Sequence, residues 1–266
     1  MAIFLPALWL NISQAKMPEV LPERAGLYAV PGRPELKLRV FEYPAPGLDF
    51  AKKGQRGKPP ALSPQEVCDL SSRTDPDSSA VVSGAGWKLP DNWEYNLNPT
   101  SVPMAVGADN LASISSQAFS AWLTASAPLP AAVNIQRGPD ITISRAVMDG
   151  QNIIAWGRAS GGALAVSYVW YNKVTGLAVE VDTIMNEKFS WSWSNPDSWP
   201  VDQSCAYEGV YDAQNILTHE LGHTFGLDDE YGVSYLNNTM YGYGSKSETK
   251  KDTLTSGDKT GLGNLY

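Results

Sequence analysis

Histidine is almost missing from this chain of 266 residues, which has only two, and cysteine is as scarce, also with two. Two cysteines allow one disulfide at most, so the fold cannot rest on a disulfide framework. No stretch is long and apolar enough to span a bilayer. Charged side chains make up only 18% of the residues, and their balance is acidic, at −8. That sign argues against nucleic acid or an anionic membrane as a partner, and acidity favours solubility outside the cell. Apolar residues are present in ordinary amount, 43%, which suits one large domain or one domain with an extension.

Both histidines fall in one stretch, Thr218-His219-Glu220-Leu221-Gly222-His223-Thr224-Phe225-Gly226-Leu227-Asp228-Asp229. On a helix, positions i and i+4 share a face, so His219 and His223 can grip one metal ion. Two neutral imidazoles suit zinc, and three protein ligands plus a water make a catalytic site rather than a structural one. Glu220 is then placed to take a proton from that water as general base. Gly226 is a natural helix end, which lets the chain turn back and bring a third ligand to the metal. With no third histidine in the chain, that ligand is a carboxylate if the site is mononuclear zinc, and Asp229 has the spacing. Two surface histidines on an ordinary helix explain the pentapeptide alone but not this continuation.

These residues resemble a metzincin zinc endopeptidase of the matrixin-like kind, with Asp229 where most members have a third histidine. Some bacterial members, the snapalysin type, also carry aspartate there. Asn238-Thr239-Met240-Tyr241-Gly242 supplies the methionine of a Met-turn, and residues 254–266 are similar to the closing helix of matrixin domains. The likeness covers residues 87–266. It implies an α+β catalytic domain with a twisted mixed five-stranded sheet, two long helices and a small C-terminal subdomain. The implied activity is that of a secreted zinc endopeptidase, in which a zinc-bound water activated by Glu220 hydrolyses peptide bonds of extended protein substrates. Met240 then supports the site without ligating. The resemblance also implies that the strand before the zinc helix pairs with substrate, which makes Gly162, Ala163, Leu164, Ala165 and Val166 a candidate edge, although an ordinary edge strand reads the same way. A monomer acting on proteins or peptides is expected. Two rivals stay open: a zinc-stabilised secreted binding protein without catalysis, and a peptidase whose third ligand is Glu248, from Glu248-Thr249-Lys250-Lys251-Asp252.

Outside the motif the chain divides into residues 1–15, a signal-peptide-like apolar start, residues 16–80, an extension or pro-segment, and residues 81–266, the catalytic domain. Alternation over residues 36–43 predicts one half-buried strand, which must lean on the catalytic domain or stay mobile. Cys68 and Cys205 either form a disulfide, or Cys68 is a latency ligand of zinc. Asp109 is expected to cap a helix bearing Leu111, Ile114, Ala118 and Trp122 on one face, and Asp212 to cap the helix of the motif. Residues 133–135, 141–144 and 152–156 read as short strands, and residues 163–171 and 178–186 as a hairpin. Asp149 and Asp182 either cap turns or hold a structural calcium ion. Phe189, Trp191, Trp193 and Trp199 form an aromatic segment that packs on the core or rims the cleft.

Overall fold

A computed structural model describes residues 21–45, 75–124, 133–195 and 209–266. Cys68, Cys205, Trp199 and the apolar start at residues 1–15 lie outside the described residues. The main sheet contains β1 (Gly26–Ala29), β2 (Leu36–Pro44), β3 (Asn92–Leu97), β4 (Asn134–Asp140), β5 (Ile153–Gly157), β6 (Ala163–Asn172) and β7 (Leu177–Asn186), in the order β1-β2-β6-β7-β5-β3-β4. The five strands β3 to β7 form the expected mixed sheet, with β6 alone antiparallel among them. The extension adds two more strands, so the sheet has seven. A short parallel pair, β8 (Trp191–Ser192) and β9 (Tyr211–Asp212), leads into the motif helix.

Helix α1 (Leu111–Leu123) buries Leu111, Ile114, Ala118 and Trp122 on the expected stripe. Asp109 does not cap it. A 3-10 turn, Ala108–Asn110, runs straight into the helix, which places Asp109 within the turn, and the side chain of Asn110 bonds back to the Val106 carbonyl. Helix α2 (Ala213–Thr224) carries the motif and is capped as expected: Asp212 accepts from the Asn215 N–H at 3.0 Å. Helix α3 (Ser256–Gly263) opens with a capping box between Thr255 and Asp258. Residues 141–144 are not a strand: the Asn98 side-chain amide donates to the Ile143 carbonyl, which a ladder would need free, and to the Ser144 hydroxyl beside it. Trp191 packs edge-on against Trp156 in the core.

The alternation in β2 produces two different environments. Leu36, Leu38 and Val40 pack on one face with Val166 and Trp170, while Phe41, Tyr43 and Ala45 enter the main core beneath the helices. The strand is half-buried only as far as Arg39; from Val40 onward every residue is buried, because β2 pairs antiparallel with β6 and both its faces are covered. The extension therefore leans on the catalytic domain.

The end of α2 is a Schellman turn: Leu227 N–H bonds Gly222 O and Gly226 N–H bonds His223 O, each at 3.0 Å. Gly226 has φ of +100°, and a Cβ there would overlap the Trp87 carbonyl. At Gly150, φ is +86° but the surrounding space is open. Gly226→Ala is therefore expected to lower stability by about 3 kcal/mol or more, and Gly150→Ala by only about 1 kcal/mol. Urea unfolding of the two variants checks this, and equal losses would contradict it.

Candidate active site

Helix α2 presents the motif. Its His219, Glu220 and His223 are buried. Two indoles fasten its carbonyls, Trp122 to Thr218 O at 2.7 Å and Trp87 to His223 O at 3.1 Å. The Schellman turn then returns the chain so that Asp229 Oδ1 lies 3.2 Å from His219 Nε2 and 3.6 Å from His223 Nε2.

Each of these three side chains is oriented from behind. His219 Nδ1 lies 2.7 Å from the Thr239 carbonyl and His223 Nδ1 lies 3.0 Å from the Leu227 carbonyl. A carbonyl only accepts, so each imidazole carries its proton on Nδ1 and turns an Nε2 lone pair inward. Burial holds the His223 pKa down at about 3, so this ring is neutral. The Asp229 carboxyl is held below the usual carboxylate range although burial works against the anion, and the Tyr231 hydroxyl, which donates to Oδ2 at 2.9 Å, favours the ionised form. Three lone-pair donors thus converge, all within 4.8 Å of one another, with no proton between them. His219 Nε2 and Asp229 Oδ1 have no hydrogen-bond donor at all. Acceptors forced together in a buried site repel unless a cation lies among them, and two imidazoles with one carboxylate are a donor set for zinc. The residues fit the metal.

Glu220 lies beside this cluster. Its Oε2 accepts from Ser167 at 2.5 Å, and its Oε1 is buried without a partner. Burial pushes its pKa up to about 8, against the pull of the Ser167 hydroxyl.

The family model that matches this sequence is Matrixin, over residues 86–266. The chain belongs to the matrixin family. It is accordingly a zinc metallopeptidase in kind, acting on peptide or protein substrates. No curated protein matches it. Among the described residues, no helix of this matrixin is long and apolar enough to cross a membrane.

The structure brings His219, His223 and Asp229 together and leaves Glu248 out. The Glu248 carboxylate accepts from Ser245 N–H at 3.0 Å and pairs with Lys250 at 3.5 Å, and among the described residues it is not part of a metal-capable cluster. Met240 is fully buried against Gly222, where a Cβ would overlap its sulfur. Its loop is fixed from two sides. Asp258 on α3 accepts from the N–H groups of Thr239 and Met240, and Glu230 exchanges backbone bonds with Met240 and Gly242. The carboxylate oxygens of Asp182 accept from Val147 and Ile153 N–H, and those of Asp149 from Gln151, which is anchoring of the loop before β5.

The expected free edge at Gly162, Ala163, Leu164, Ala165 and Val166 is not free. Gly162 O accepts from Ala45 N–H, Ala163 pairs with Pro44, Ala165 with Tyr43 and Val166 with Glu42. Strand β2 arrived there because its second half is apolar on the face that meets α2. It brings Phe41 to stack on His223 at 3.7 Å and Tyr43 to stack on His219 at 4.1 Å. Sequence reasoning missed these two aromatics, and with them Ser167, Tyr231 and the carbonyls of Thr239 and Leu227. Only Tyr231, two residues past Asp229, had a local signal.

Removing the Tyr231 hydroxyl leaves Asp229 less well aimed. Tyr231→Phe is expected to weaken zinc binding roughly tenfold, Asp229→Ala to abolish it at micromolar metal, and Glu248→Ala to retain it. Titration against a chromogenic chelator measures all three. Retention in Asp229→Ala with loss in Glu248→Ala would reverse the assignment.

Proposed function

We propose that this matrixin is a secreted zinc endopeptidase that cuts polypeptide in extended conformation, with His219, His223 and Asp229 as metal ligands and Glu220 as general base. The observation that carries this reading is the convergence of three unprotonated acceptors beside a carboxylate oxygen that has no partner of its own. When bound, zinc supplies an acidified water and polarises the scissile carbonyl.

The chain's own groups do the rest. Glu220 Oε1 receives the proton from the attacking water and later delivers it to the departing amine. Ser167 holds Oε2, so that the carboxylate keeps one fixed orientation while the other oxygen works. The Ser167 hydroxyl is itself within 3.2 Å of Thr183 Oγ1, which ties the base to two strands of the sheet. Met240 fills the space under α2 and keeps the two imidazoles from sinking. An aspartate in place of a third imidazole makes the metal centre less positive, and the expected consequence is a somewhat weaker Lewis acid.

A purely structural metal site has no use for a buried carboxylate with a bare oxygen, and this disfavours the non-catalytic binding protein. Export is supported by the acidic composition and by family membership, since matrixins are generally secreted.

Glu220→Gln keeps the shape and the Ser167 contact but cannot take a proton. It is expected to hold zinc at wild-type stoichiometry and to lose at least about 10²-fold in hydrolysis of a quenched, unstructured protein. Metal analysis and fluorescence on the same samples decide it. Two zinc-loaded proteins cleaving at equal rates would remove Glu220 from the mechanism.

A further inference from the structure

A peptidase must admit peptide, yet the two imidazoles and the base here are sealed. His219 and Glu220 are 0% exposed and His223 is 1% exposed. The cover is strand β2. Its backbone uses the side of β6 that faces away from β7, and its Phe41 and Tyr43 rings lie directly on the two ligand imidazoles. Any polypeptide reaching the three acceptors along β6 must take the position that β2 now holds.

The seat of Tyr43 is specific. Beyond its ring lies Lys251, which is fully buried. The ammonium has three N–H groups. Two go to the backbone carbonyls of Tyr241 and Tyr243, and the third goes to the Tyr43 hydroxyl. One wall is backbone at Gly244, where a Cβ would come within 2.8 Å of Tyr43 Cε1. A ring-shaped slot lined by an imidazole and a glycine, and ending in a buried ammonium, fits a phenol. If β2 leaves, one N–H of that ammonium loses its partner inside the pocket, a loss that an incoming hydroxyl repairs and a hydrocarbon does not.

We propose that β2 is an internal stand-in for substrate: residues 36–45 hold the substrate's place on β6, and the Tyr43 pocket closed by Lys251 selects a tyrosine side chain from the polypeptide that replaces them. The inference rests on the peptidase reading. Antiparallel addition of an extended chain to a sheet edge supplies affinity through the main chain and selectivity through alternate side chains. Here those are positions 41 and 43. The lighter tether is the pair between Arg39 and Asp228 at 3.2 Å, both partly exposed and therefore weak.

The test is binding of a fluorescent peptide of sequence 36–45 to the full zinc-loaded chain carrying Tyr43→Ala, in a Glu220→Gln background so that nothing is cut. Anisotropy is expected to show saturable binding, much weaker binding to the chain with Tyr43 intact, and roughly tenfold weaker binding of the peptide in which Tyr43 is phenylalanine. Lys251→Met is expected to erase the difference between the two peptides. Equal binding of peptides bearing Tyr, Phe or Ala at that position overturns the proposal, as does absence of binding by a variant whose circular dichroism is native. Should Tyr43→Ala not fold, Tyr43→Phe in the chain keeps the ring and is expected to raise hydrolysis several-fold in the Glu220 protein; an unchanged rate overturns the proposal. The two readings fail separately. Peptide binding with this pattern but no hydrolysis by any Glu220 protein removes the peptidase and leaves the occupied site. Hydrolysis as fast in wild type as in Tyr43→Ala, with no discrimination among peptides, leaves the peptidase and removes the stand-in.

Discussion

Three lone pairs pointed at one another in a buried space are the constraint on which the structure turns. Left alone, His219, His223 and Asp229 would rotate apart or take up a proton, and each is prevented from doing so by a group of another element. Thr239 and Leu227 carbonyls hold the imidazole protons on the far side, and Tyr231 holds the carboxylate. Those holders are themselves held: Thr239 by Asp258 at the start of α3, and Leu227 by the Schellman turn at Gly226. The closing helix matters to the site for this reason, although it touches no ligand. Its capping carboxylate aligns the peptide whose carbonyl orients the first histidine.

How much of this could be read from the residues alone follows from the range of each interaction. The motif helix, its cap at Asp212, its end at Gly226 and the cluster of His219, His223 and Asp229 are encoded within the 18 residues from Asp212 to Asp229, and local spacing is enough to find them. The hairpin of β6 and β7 is likewise local. Asp109 was misassigned because a 3-10 turn that continues into an α-helix leaves no local mark. Residues 141–144 have strand composition, but the side chain of Asn98, just past the end of β3, bonds the Ile143 carbonyl and the Ser144 hydroxyl. Ser167 lies 53 positions from Glu220, and Tyr43 lies 208 from Lys251. Pairings so distant in sequence depend on which strands become neighbours, and no periodicity announces that. β1 and the place of β2 escaped for the same reason: the alternation of residues 36–43 marks a strand, but not the edge that it joins.

The position of β2 also makes physical sense of the aspartate. Sealing a metal site under two aromatic rings removes it from water, and an isolated net charge there would be strongly disfavoured. A divalent ion would bring +2, and Asp229 with an ionised Glu220 would bring −2, so the ion and these two carboxylates would balance. With a third imidazole in place of Asp229 the same groups would carry a net positive charge in a space closed to water. The pKa of Glu220, which burial and then the neighbouring Asp229 raise to about 8 against the Ser167 hydroxyl, points the same way: the carboxylate is at ease as an anion only where a cation compensates it. With a metal bound, Asp229 and the covering strand would thus be matched features, since the charge balance that Asp229 brings is one that the Phe41 and Tyr43 rings can lie upon.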